Sequence, residues 1–322
     1  MQGNYIFIWI TFLLGIADFS LDHYFNYFLI YFRRINTLRN KNILIAVGAP
    51  LFILLIMFTL FATTVYAQDG SDTEQSADFI DGSLMLFYYD YKEQLPRPLK
   101  STESGFLPGL VFTYTDKIPN SKFFLRGSAE FAFGPTVYDG TTQSGVPVIS
   151  NTDNIFGNLE ANIGINFDKK ETISIYSGVG FHYWNRGLKG SAPYREDYTW
   201  FYFPAGFIVN LDISNRFQVS IDACLRFMFM GTIKVYLSDI SSYFNDPIGD
   251  LGNKIGGKIK IPFRYVLDNE ISLLIMPWVE YSAIEQSNQF SIKYGGTSIG
   301  FAMEPSSETY QYGINIGVRY LL

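Results

Sequence analysis

From Leu159 to Tyr183 apolar residues fall at every second position, and no other feature of the chain restricts its fold as much. Leu159, Ala161, Ile163, Ile165 and Phe167 alternate with Glu160, Asn162, Gly164 and Asn166. After Asp168-Lys169-Lys170-Glu171 the pattern resumes. Ile173, Ile175, Val179, Phe181 and Tyr183 share one parity, broken only by Ser177, while Ser174, Tyr176, Gly178, Gly180 and His182 share the other. A period of two places the two sets on opposite faces of a strand, so the segment predicts two strands and a tight polar turn. A soluble sandwich would have to cover the apolar face with a second sheet. A barrel wall between lipid and a polar lumen accommodates both faces as they stand.

The longest continuous apolar run lies early, from Ile43 to Tyr66, behind Arg33, Arg34, Arg39 and Lys41. With Val65 and Ala67 at minus three and minus one, it predicts a secretory signal peptide cleaved after Ala67. By length alone an uncleaved anchor is the alternative. Residues 1–42 are aromatic-rich and unusual in front of a signal, and translation is expected to begin downstream of Met1. The expected organisation is a leader over 1–67, a short polar segment over 68–78 and one folded body over 79–322. Removing 1–67 takes away Asp18, Asp22 and four bases, leaving a net charge near −8 where the whole chain has −6. An acidic, exported chain is unsuited to nucleic acid. One cysteine, Cys224, and beyond the leader one histidine, His182, allow neither an internal disulfide nor a Cys/His zinc site, and no cofactor is expected.

Further alternating runs follow the same rule. They cover Ser83–Glu93, Gly109–Thr115, Phe123–Tyr138, the two strands above, Tyr198–Asp212, Phe217–Met230, Lys254–Tyr265, Glu270–Ile284 and Glu308–Leu322. The total is ten strands, and their connections alternate. Short links follow the second, fourth, sixth and eighth strands, and long polar ones follow the first, third, fifth, seventh and ninth. In an up-and-down antiparallel sheet this puts every tight turn at one end and every long loop at the other. The predicted fold is therefore all-β, an up-and-down antiparallel transmembrane barrel of about ten strands after an N-terminal hydrophobic signal segment.

In the last strand Tyr312, Ile314, Ile316, Val318, Tyr320 and Leu322 hold alternate positions, with Gly313, Asn315, Gly317 and Arg319 between them. This resembles the C-terminal signature of bacterial outer-membrane β-barrel proteins, of the small OmpA-like or opacity-like sort, although Leu322 stands where the family usually ends in Phe. The resemblance covers roughly 79–322 at the level of pattern. It implies residence in the outer membrane, with the lipid bilayer and the barrel-assembly machinery as partners and long extracellular loops that meet a surface ligand or another cell.

On this reading the lumen collects Asp90, Lys92, Arg126, Glu130, Glu160, Asp222, Arg226, Lys258, Lys260, Arg264, Glu280 and Arg319. Two outcomes follow: a charged constriction that selects ions, with Lys258, Lys260, Arg264 and Glu280 lining a narrow pore, or a plug of paired charges. Ten strands enclose little more than the eight whose interior side chains fill the bore, which favours the plug and a structural or surface-interaction role. His182 admits a surface hydrolase as a further alternative. An omptin-like Asp-x-His pair would need an aspartate at 180, where the chain has glycine, so no enzyme is expected. Tyr114, Tyr138, Phe167, Tyr183, Trp200 and Phe217 near strand ends predict interfacial girdles. The spacing of Asp239, Asp246 and Asp250 fits calcium only weakly, and a solvated acidic loop is the expectation.

Overall fold

The alternating runs become hydrogen-bonded ladders. A computed structural model of the protein describes residues 78–142, 144–190 and 192–322; the leader, its cleavage site and nearly all of the 68–78 segment lie outside the described residues. The strands are β1 (Phe79–Glu93), β2 (Ser101–Lys117), β3 (Phe123–Thr141), β4 (Pro147–Asn166), β5 (Ile173–Leu188), β6 (Tyr194–Ser214), β7 (Phe217–Tyr236), β8 (Ile248–Leu251), β9 (Ile255–Lys260), β10 (Phe263–Val266), β11 (Ile271–Ile284), β12 (Phe290–Tyr294), β13 (Thr297–Ala302) and β14 (Ser307–Leu321). Each of β1 to β7 pairs antiparallel with the next, and β8, β9 and β10 together form the eighth wall strand against β7. β9 and β10 also pair with β11, β11 with β14, and β14 with β1, from Phe79–Leu321 to Glu93–Ser307. The ring is closed with ten wall strands, so no sheet edge is left along the wall, as hydrocarbon requires.

The two faces separate as the alternation predicts. Leu84, Leu86, Phe131, Phe133, Ile163, Leu225, Val279 and Ile316 are exposed outward, and the intervening residues are buried or half-buried in the bore. β1 differs from expectation. Met85, Phe87, Tyr89 and Tyr91 fill the lumen, while Asp90 and Lys92 lie on the outer face and are exposed. Both parities of this strand are apolar at its centre, so its sequence alone does not say which face is which. Asp90 and Lys92 sit above the apolar belt, where the outer face meets water.

The strands also run further than the apolar pattern does. β4 begins at Pro147 and β5 ends at Leu188, through segments that read as polar loops. A wall strand needs about ten residues to cross the hydrocarbon, and these have up to 21. Beyond the bilayer both faces meet water, so the period-two signal fades while pairing continues. Within β7, Met230 takes a left-handed conformation with φ 53° and forms a bulge opposite the Thr199–Phe201 stretch of β6. The parity inverts there, leaving Met230 exposed and turning Gly231, Ile233 and Val235 inward. The alternation of the Phe217–Met230 run therefore does not continue in the same parity to the end of β7.

Where inward rings cross neighbouring strands, glycine makes the room. The ring of Tyr202 lies against the backbone of Gly180, and that of Phe124 against Gly164, closely enough that a Cβ at either glycine would collide with it. The longest connection, whose composition reads as an irregular loop, contains the β12–β13 hairpin.

Candidate functional site

The bore is filled in layers that can be followed from the tight-turn end upward. At the lowest level Arg319 makes two bonds to Asp81, at 2.7 and 2.8 Å, and Arg264 donates to Ser272 at 3.1 Å. These two predicted lumen residues therefore stand apart from the rest. The other eight come together at mid-barrel. Arg126 and Lys260 both meet Asp222, at 3.0 and 3.1 Å, and Tyr176 donates to the same carboxylate at 2.6 Å. Arg226 bridges Glu160 at 3.3 Å and Glu280 at 2.6 Å, and Lys258 joins Glu280 at 3.2 Å to Glu130 at 2.8 Å. Tyr202 donates to Asn158 and Glu160. Four cations face four carboxylates here; Glu160, Asp222 and Lys258 are buried and the other five half-buried. Burying ions is costly unless each is paired and hydrogen-bonded; every ion of this layer has an opposite partner within it, although Arg126 Nη2 and Arg226 Nε have no hydrogen-bond partner among the described residues.

Above it lies an aromatic layer. Phe156 stacks on Trp184 at 5.7 Å, Phe87 packs on Trp278 at 5.5 Å, and Trp184 stacks on Tyr198 at 4.4 Å. His182 belongs to it, with its ring stacked on Trp200 at 4.1 Å. Trp200 is therefore not part of a lipid girdle. Nor is Tyr138, whose ring meets the guanidinium of Arg186 at 5.6 Å inside the barrel. A cavity of about 30 Å³, bordered by Glu130, Asn158, His182, Trp278, Glu280 and Gln311, separates the aromatic layer from the charged one. It has room for about two water molecules.

The top layer draws on segments whose sequence reads as loop. Arg186 donates to Glu103 at 2.8 Å and to Glu196 at 3.0 Å, with Glu93 at 3.7 Å. Thr136 and Asn154 also donate to Glu103. Glu304, on the segment between β13 and β14, accepts from Tyr91 of β1 at 3.2 Å and from Tyr198 of β6 at 2.9 Å. In the ring β1 and β6 stand five strands apart in either direction, so one carboxyl ties opposite walls. Burial, and then the neighbouring Glu196 and Glu93, push the Glu304 carboxyl well above the usual carboxylate range. The signal for this layer is parity carried past the apparent strand ends: Arg186 is two steps on from His182, and Glu103 two steps before Leu107.

Over this layer the β12–β13 hairpin folds across the mouth. Phe290 and Ala302 pack into the lumen's apolar cluster beside Leu251. Asn245 bonds to Ser291 and Lys293, and Tyr243 and Phe244 meet Tyr294. Asp239, Asp246 and Asp250 do not converge. Asp239 pairs with Arg195, which holds its carboxyl below the usual range, Asp246 accepts from the Ser238 amide, and Asp250 accepts from Asn288. Among the described residues no group of three His, Cys, Asp or Glu could hold a metal. The alternate residues Tyr312, Ile314, Ile316, Val318, Tyr320 and Leu322 all lie exposed on the outer face.

No protein-family model matches the sequence, and no curated protein matches it. Among solved structures, the outer membrane protease OmpT from Escherichia coli aligns with a TM-score of 0.51 at 9% identity, over 79% of this chain and 99% of that one. Neisserial surface protein A aligns at 0.32 and 13%, over 77% and 98%, and the outer membrane protein OprG from Pseudomonas aeruginosa at 0.32 and 15%, over 77% and 97%. The chain has the fold of the outer-membrane β-barrels, closed with ten antiparallel strands.

Proposed function

We propose that the protein is an integral outer-membrane barrel whose bore is a structural plug and whose working surface is its long loops. The observation that carries this reading is the filled lumen. The eight mid-barrel charges are paired, the rings above them are stacked, and the described cavity between them holds only about 30 Å³. A conducting pore lined by Lys258, Lys260, Arg264 and Glu280 needs charges that face water, whereas Lys258 is buried between two carboxylates.

The loops support the second half of the reading. The 237–254 and 285–306 connections pack on each other through the isolated bridges Phe244–Tyr294 and Gly252–Glu285, and they present Tyr243, Tyr294, Ile299 and Phe301 outward. A preorganised, aromatic surface of this kind suits contact with a ligand or another cell. The outward C-terminal residues supply what assembly machinery would read, and the exposed belt supplies the lipid contact.

Two measurements test the proposal. Liposomes containing the protein should neither swell in small sugars nor conduct. Trypsin added to intact cells should cut at the exposed Lys293 and leave the wall strands protected. Solute-dependent swelling would replace the plug with a pore, and protection of Lys293 in intact cells with cleavage after lysis would reverse the orientation.

A further inference from the structure

The mid-barrel layer balances its charges, and the mouth does not: Glu93, Glu103, Glu196 and Glu304 surround the single guanidinium of Arg186. Glu103, Glu196 and Glu304 are buried, as the arginine is. Arg186 is engaged by Glu103 and Glu196, and Glu304 receives the hydroxyls of Tyr91 and Tyr198, each shared with a second carboxylate, Glu93 at 3.3 Å and Glu196 at 3.1 Å. The two bonds to Glu304 come from opposite walls, and Glu304 follows closely on β13. The hairpin is thus held to the barrel lumen by this carboxyl and by the packing of Phe290 and Ala302, and to the 237–254 connection by the Asn245 bonds and the Tyr243, Phe244 and Tyr294 rings.

We propose that the β12–β13 hairpin is a proton-latched cap, seated over the mouth while Glu304 is neutral and released when it ionises. The proposal rests on the plugged-barrel reading only in placing the hairpin outside the cell, since release uncovers the mouth and leaves the mid-barrel plug intact. The groups facing Glu304 are Tyr91 and Glu93 from β1, Arg186 from β5, and Tyr194, Glu196 and Tyr198 from β6. Apart from Arg186, which is already engaged, each of them is either negative or neutral, so an ionised Glu304 meets repulsion in a site closed to water.

The direction follows from the raised carboxyl. A group whose seated pKa lies above its released value stabilises the seated state at low pH and ceases to do so as pH rises through the seated value. The cap is therefore closed in acid and loosens toward alkaline pH, opposite to a carboxylate held by a salt bridge. What release exposes is a cup of carboxylates and tyrosine rings, suited by charge to a cationic ligand.

The test places spin labels at Ser298→Cys on the hairpin and Lys189→Cys on the far rim, in a Cys224→Ser background, and follows the inter-label distance from pH 5 to pH 10. We expect one narrow distance at low pH, broadening to longer distances as pH rises. Glu304→Gln, which keeps the acceptor and removes the charge, should stay narrow throughout, and Tyr198→Phe should lower the pH at which broadening begins. Heat-modifiable gel mobility on the same samples reports whether the barrel stays folded. An unchanged distance to pH 10, the same titration in Glu304→Gln, or broadening that coincides with loss of the folded band would each overturn the latch. None of these outcomes depends on conductance, which tests the plug separately.

Discussion

Mid-barrel and mouth use the same side chains to opposite effect. At mid-barrel Arg126, Arg226, Lys258 and Lys260 are distributed among Asp222, Glu160, Glu280 and Glu130, so that every ion has an opposite partner and several have two. At the mouth one arginine serves three carboxylates, and a fourth is left to two tyrosines. Each layer closes the bore, but a balanced network is stiff and insensitive to its surroundings, whereas an unbalanced one depends on protons. On this reading pairing within a layer, rather than the number of charges, decides whether a lumen is a plug or a switch.

The largest effect is expected at Arg186. Arg186→Met removes the guanidinium that Glu93, Glu103 and Glu196 share and leaves them uncompensated, so the loss should reach or exceed the roughly 3–5 kcal/mol typical of breaking a buried pair. It would be read as a lowered urea midpoint of the refolded barrel. Arg226→Met at mid-barrel should cost less, about 3 kcal/mol, because Lys258 still holds Glu280. If the two cost the same, the contrast between the layers is void.

Replacing a whole pair sharpens the comparison. Arg226→Met with Glu160→Met leaves Glu280 on Lys258 and should recover most of the single-variant loss, as apolar replacement of a buried pair commonly does. Arg186→Met with Glu103→Met leaves Glu196 and Glu93 without a cation and should recover little. A double-mutant cycle at each layer supplies both numbers.

Tyr202→Phe should cost about 1–2 kcal/mol, since it leaves one hydroxyl's bonds to Asn158 and Glu160 unmade. The smallest effect belongs to the rim. Lys189 and Asp153 pair at 2.6 Å with more than half of each side chain exposed, so Lys189→Ala should change stability by less than about 0.5 kcal/mol and not at all in high salt.

Most of the wall is legible in the sequence, because lipid on one side and a filled lumen on the other force a period of two onto each strand that crosses. Leu159 to Tyr183 shows that pattern, and parity alone groups the eight mid-barrel ions on the inner face. Four features are hidden for physical reasons. β1 carries aromatic residues on both faces at its centre, so its parity points Asp90 and Lys92 to the wrong side. The Met230 bulge inverts parity without any marker residue. Arg186, Glu103 and Glu196 lie above the bilayer, where both faces of a strand are polar and the alternation no longer separates wall from loop. The β12–β13 hairpin is short and rich in Gly and Ser, and its inward set, Phe290 and Ala302, is too small to register as a pattern.

Single-channel recording of the purified protein in a planar bilayer tests the central claim, a bore closed by its own paired charges and stacked rings, most directly. A closed barrel gives no stepwise current across the physiological pH range, and the variant Arg226→Ala/Trp278→Ala, which empties both the charged and the aromatic layers, gives steady steps. Steady steps from the unaltered protein would contradict the account.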